Sequence, residues 1–252
     1  MIRYKAIVIF LAGLITLLMF PGAEALSQGS EEKPFNKIFD LIYNQKFCEA
    51  ETELKASEAV MEKWGYRLLM LDLYWWKAIS GNSEVDYQSL ELVLNEYSAL
   101  LNDSSDADDL EELICLSYSL RLALIKNRIF PILTNIYRIN RIISGYDTES
   151  LTSEQQDVFI IYTALFNIGK SRFLFTGPGK KAEGIKILED NLTSPNKQYQ
   201  TISCYFLSKI YLDLDKLPLK AMTYCEKLYK LYPDNKTFAY NLELCRKNVK
   251  KD

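Results

Sequence analysis

Apolar residues recur three and four positions apart along almost the whole chain, which predicts amphipathic helices from residue 34 onward. Phe35, Ile38, Phe39 and Ile42 form one stripe. Leu90, Val93, Leu94, Tyr97 and Leu101 form another, and Leu113, Leu116, Leu120 and Leu124 a third. No stretch alternates apolar and polar residues between turn signals, so no strand is expected. The helical pattern breaks at Gly81-Asn82-Ser83, Asn102 to Asp106, the Pro131 region, Gly145-Tyr146-Asp147, Gly177-Pro178-Gly179, Ser194-Pro195 and Tyr232-Pro233-Asp234. These breaks predict five helix pairs, at about 34–59, 62–101, 106–145, 153–192 and 197–232. A final helix is expected over 235–250, where Lys247, Lys250 and Lys251 suit an exposed helix C-terminus. Ser153 with Gln156 fits a capping box, and Asp106, Asp108 and Asp109 sit where a helix start favours negative charge.

The first 25 residues follow a different rule. Arg3 and Lys5 give a positive start, Ala6 to Phe20 is an apolar run, and Pro21-Gly22 breaks it. Ala23-Glu24-Ala25 then places small residues where a signal peptidase reads them. The expectation is a secretory signal over 1–25, cleaved after Ala25, with a short polar linker over 26–33. The apolar run is shorter than the roughly 20 residues of a membrane-spanning helix. A membrane role is therefore expected only if this segment stays uncleaved. The mature chain would carry a net charge of −4, from 28 basic residues (30 less two) and 32 acidic residues (33 less one).

The next question is whether the pairs repeat. Near the C-terminus, Leu207, Ser208 and Tyr211 lie on a first helix, Ala221 on a second, and Pro233 just past its end. This arrangement resembles the tetratricopeptide repeat, a helix-turn-helix unit of about 34 residues. One unit upstream, Ile168-Gly169, Gly184, Leu188 and Pro195 repeat it, and Ala50 with Leu54 carries an echo near the start. The resemblance is clearest over 154–235 and extends as a pattern over 34–252. Residues 106–146 read as helical without a repeat signature. The small residues Ala50, Gly169, Gly184, Ser208 and Ala221 would let helices approach closely. The fold implied is an all-α, right-handed superhelix of about five antiparallel helix pairs, closed by a capping helix.

Composition narrows the chemistry. The 252 residues contain no histidine, which removes Ser-His-Asp and Cys-His catalysis and any imidazole metal site. Net charge is −3, so non-specific nucleic-acid binding is not expected. The acidic run Asp103 to Glu112 lacks the central Gly and closing Glu of a calcium loop. Gly177 to Lys181 lacks phosphate-loop spacing, and Glu149-Ser150 lacks the neighbours of a transglycosylase site. No enzyme activity, cofactor or metal is expected. Cys204, Cys225 and Cys245 lie about 20 residues apart, a spacing that could set them on adjacent helices. All five cysteines read as small buried hydrophobes, with pairing left open.

The tetratricopeptide resemblance implies a non-catalytic scaffold of the cell envelope, holding a protein or peptide partner in a concave groove. It points to Thr163, Phe166, Lys170 and Phe173 in one unit, and to Ile202, Tyr205, Lys209 and Asp213 in the next. An aromatic followed by a Lys one turn on, in both units, would suit a peptide with apolar and acidic groups. Ordinary packing with solvated lysines is the alternative for these positions. A different class of function, small-molecule or glycan capture, would use the aromatic cluster Trp64, Tyr74, Trp75 and Trp76, for which ordinary helix–helix core is the alternative.

Overall fold

The computed structural model describes residues 34–103, 109–173 and 178–250. The expected signal and linker, most of the acidic run's start, Gly177 and Lys251 lie outside the described residues, as does the side chain of Phe173. Among the described residues the protein is all-helical, without strands. Eleven α-helices follow in order: α1 (Pro34–Tyr43), α2 (Phe47–Ser57), α3 (Lys63–Gly81), α4 (Glu84–Asp103), α5 (Asp109–Ile125), α6 (Ile129–Gly145), α7 (Ser153–Phe173), α8 (Pro178–Asp190), α9 (Lys197–Lys209), α10 (Pro218–Leu231) and α11 (Lys236–Val249). A π-helical stretch, Ile210–Leu214, extends α9.

Consecutive helices pack in neighbouring pairs, and one turn geometry recurs inside them. Gln45, Asn82, Asn127 and Lys216 each take a positive φ, between 48° and 59°. They sit in the α1–α2, α3–α4, α5–α6 and α9–α10 turns. A left-handed residue there ends the first helix and returns the chain antiparallel. The amide of Lys46 reaches back to the Leu41 carbonyl, and that of Arg128 to Ala123, both at 2.9 Å. These bonds satisfy carbonyls that a helix end leaves without partners.

Local details differ from the sequence reading at two places. Thr152, rather than Ser153, caps α7: its hydroxyl accepts from the Gln155 amide, and the Gln155 side chain accepts from the Thr152 amide. Pro131 does not break the chain. It lies in the first turn of α6, where a missing N–H leaves no intrahelical bond unmade.

The first helices of successive pairs form an inner layer, α3 packing on α1 and α5, and α5 on α7. The second helices lie outside them. Gly184 on α8 shows how close the layers come. A Cβ there would stand 2.7 Å from the Ala164 carbonyl oxygen and 2.8 Å from Ile168 on α7. Ala50, Gly169, Leu207, Ser208, Tyr211 and Ala221 are all buried, while Pro233 is exposed after α10.

Stacked repeats touch only their neighbours. Here the two ends of the array also meet. Lys197 binds Asp40 at 2.7 Å, and the Tyr232 hydroxyl donates to Asp40 at 3.1 Å. The Asn235 amide donates to the Tyr43 carbonyl at 2.7 Å and caps α11 by accepting from Phe238 N–H. An aromatic core of Tyr43, Trp76, Tyr205, Tyr232 and Phe238 joins α1, α3, α9 and α11, with ring centroids 5.1–6.2 Å apart. Such ring pairs contribute roughly 0.5–1.5 kcal/mol each beyond their buried area.

Candidate functional site

This closure decides where the expected site residues lie. Phe166, Ile202, Tyr205 and Lys209 are buried. The inner helices pack their facing sides together, so no open groove runs along these four side chains. Lys209 turns inward to an ion pair with Asp213 at 2.6 Å. Burial lowers the Lys209 pKa, but Asp213 and Tyr205 outweigh it, and the net shift is upward. Lys170 is half-buried over the Phe166 ring and hydrogen-bonds Asn140 on α6. Thr163 is half-buried and lines a shallow cleft with Glu149, Gln156, Ile160 and Glu183. Its two carboxylates are exposed, and Glu183 pairs with Lys180 at 3.2 Å.

The tryptophan cluster divides in the same way. Trp75 and Trp76 have no exposed area, because α3 is covered on several sides. They offer no stacking surface to a sugar. Tyr74 is half-buried with Lys77 over its ring, and Trp64 lines a small pocket with Phe35 and Met61 while donating to Glu62.

Two features that the sequence reading missed stand out. The first is the outer face of α6. Ile129, Phe130, Leu133 and Tyr137 are 69%, 84%, 57% and 71% exposed. Their spacing sets them along one side of the helix. α2, α4, α8 and α10 each pack against the helix that follows them, whereas α6 packs extensively only on α5. α7 reaches α6 through the Lys170–Asn140 bond and, beside the connecting turn, through Tyr146 stacked on Phe159. α6 carries no acidic residue. Arg138 is paired with Glu112, and Arg141 is exposed without an ion pair among the described residues. A sequence signal existed: 129–143 is apolar on more than one side of the helix.

The second feature is a polar centre between α3, α5 and α7. The Tyr118 hydroxyl donates to Asp72 at 3.1 Å. The Arg121 guanidinium lies over the Tyr118 ring at 4.0 Å and the Trp75 ring at 5.1 Å. Arg121 is fully buried, and its guanidinium nitrogens make no hydrogen bond. The second Asp72 oxygen, the Trp75 N–H and the Tyr162 hydroxyl are also buried without hydrogen-bond partners. Burial pushes the Asp72 carboxyl up to about 7, although Arg121 and Tyr118 favour its ionised form. Burial also raises Tyr118 and Tyr162 and lowers Arg121.

The cysteines are all free thiols, four of them buried and Cys48 exposed. Among the described residues no cluster of acidic, Cys or His side chains could hold a metal ion, and no helix is long and apolar enough to cross a membrane. Comparison with protein families, curated proteins and solved structures finds no match to this chain.

Proposed function

We propose that the protein is an exported, non-catalytic scaffold of tetratricopeptide-like helix pairs, which docks a partner helix against α6. The observation that carries this reading is the uncovered face of Ile129, Phe130, Leu133 and Tyr137. In the other pairs, the flank of the second helix is occupied by the next helix of the chain. The flank of α6 is left for a helix from outside. Its occupant would present an apolar stripe to Phe130, Leu133 and Tyr137, and an acidic residue to Arg141. The recurring left-handed turns and the close contact at Gly184 support the repeat reading. The positive start, apolar run and small residues of 1–25 support export.

The test uses the mature chain, residues 26–252, beside Phe130→Glu/Tyr137→Glu. Envelope proteins are captured on both, identified by mass spectrometry, and the purified partner is titrated against each. Both substituted side chains are exposed, so the variant should keep its melting temperature. Binding weakened tenfold or more would support the reading. A partner held equally by both proteins, or none held by either, would overturn it.

A second reading, capture of a small anionic molecule, is favoured by the buried Arg121 centre rather than by any tryptophan surface. Thermal-shift titration with inorganic phosphate and short carboxylates tests it. No stabilisation at millimolar concentration would rule it out, since a ligand well above its Kd must raise Tm.

A further inference from the structure

α10 and α11 enclose two thiols. The sulfurs of Cys225 and Cys245 lie 3.6 Å apart, and the residues are 1% and 0% exposed. They stand 20 positions apart on neighbouring helices joined by the Tyr232–Asn235 turn. A disulfide needs its sulfurs about 2.05 Å apart, and side-chain rotation is the motion that shortens a contact between thiols already this close. The ion pair of Lys209 and Asp213 lies beside them on α9 and its extension. The Lys209 ammonium favours the thiolate form of both cysteines. The contact between the two thiols, with Lys209 beside it, favours the thiolate at Cys245, while the same contact and burial raise Cys225, so the first proton leaves from Cys245. Cys245 also lies near the end of α11, where opening of the last turns would admit a reagent.

We infer that Cys225 and Cys245 are a redox pair that closes to a disulfide joining α10 to α11 when the protein meets a disulfide-bearing oxidant. The Cys245 thiolate attacks one sulfur of the oxidant, breaking its S–S bond and expelling a thiolate. The Cys225 thiolate, after losing its proton to solvent, attacks the Cys245 sulfur of the mixed disulfide and expels the second thiolate. The two thiols lose two electrons and two protons, and the oxidant leaves as two thiols. The inference does not rest on the scaffold reading, and a Phe130→Glu/Tyr137→Glu variant leaves it unchanged.

The test uses the mature chain carrying Cys48→Ser, which removes the exposed thiol. The protein is incubated with oxidised glutathione, quenched in acid, alkylated in denaturant and mapped by mass spectrometry. The expected product has lost two hydrogens and contains one cross-linked peptide pair, bearing Cys225 and Cys245, with Cys115 and Cys204 alkylated. Its Tm should exceed that of the reduced protein by roughly 5 °C or more, because the bond closes a loop of about 20 residues. Cys245→Ser and Cys245→Ala should each abolish the link. Four alkylated thiols, a link between other cysteines, or an oxidised form that melts below the reduced one would overturn the inference.

Discussion

Asp72 is a carboxyl group at the centre of the protein, and burial raises its pKa from 3.8 to about 7. The folded chain therefore holds this proton more tightly than the unfolded chain. For a group shifted in that direction, stability falls as pH rises from about 4 towards 7, and the loss is complete above the folded pKa. Each pKa unit corresponds to about 1.4 kcal/mol, so the loss between pH 5 and pH 8 comes to about 3 kcal/mol. In a domain of this size that lowers Tm by roughly 5–10 °C. The chain has no histidine, so few other groups titrate in this window. Burial also raises the Asp157 carboxyl, with a hydrogen bond from Tyr199 acting against it. Asp72→Asn fixes the position as neutral and keeps an acceptor for the Tyr118 hydroxyl. The variant should lose most of the slope and be the more stable protein at pH 8. Thermal melts of both proteins by circular dichroism, at half-unit steps from pH 5 to pH 8, measure this directly. Parallel curves would refute the reasoning. They would mean that Arg121 keeps Asp72 ionised throughout.

Three further substitutions probe the fold that carries the site. Gly184→Ala places a methyl group 2.7 Å from the Ala164 carbonyl, so it should cost roughly 1–3 kcal/mol; an unchanged Tm would contradict the close α7–α8 approach. Asn235→Ala removes the α11 cap and leaves the buried Tyr43 carbonyl without its donor. A loss of roughly 2–4 kcal/mol is expected in urea titration, and a loss below about 0.5 would argue against the meeting of the two ends. Lys209→Glu sets a second carboxylate against Asp213 in the interior and should abolish folding, read as loss of the cooperative melt; a native melt would return Lys209 to an exposed position.

The helices were legible because burial imposes a period. Every residue of the stripes beginning at Phe35, Leu90 and Leu113 is buried, and most of the expected breaks fall at or beside turns, although the α1–α2 turn at 44–46 had no such signal and Pro131 lies inside α6. The small residues were legible for a related reason: Gly184 reads as a contact point because a helix interior disfavours Gly unless something needs the space. The groove was not legible. The same residues would line a groove if the array stayed open and would fill a core if its ends met. The difference lies in contacts between residues 157 to 192 positions apart, such as Lys197 with Asp40 and Tyr232 with Asp40. No local spacing reports such contacts. Trp76 illustrates this, since the sequence left open whether it or Tyr74 faces outward, and Tyr205 and Phe238 from the far end are what bury it.

The stretch 106–146 gave helices without a repeat signature, and the structure supplies the reason. A repeat signature records the side chains that must fit a neighbouring unit. α5 lies in the inner layer and is buried almost throughout, so its apolar residues run on nearly every side and mark no single seam. Among the described residues α6 packs extensively only on α5, and of its side chains only Asn135, Ile139 and Ile142 are buried. Among the described residues, no other helix packs on its outer face. A polar face would serve the fold equally well there and would not expose large apolar side chains to water. Ile129, Phe130, Leu133 and Tyr137 therefore have no explanation in the stability of the folded chain alone. The docking proposed for α6 would account for both the missing repeat pattern and the apolar residues found in its place.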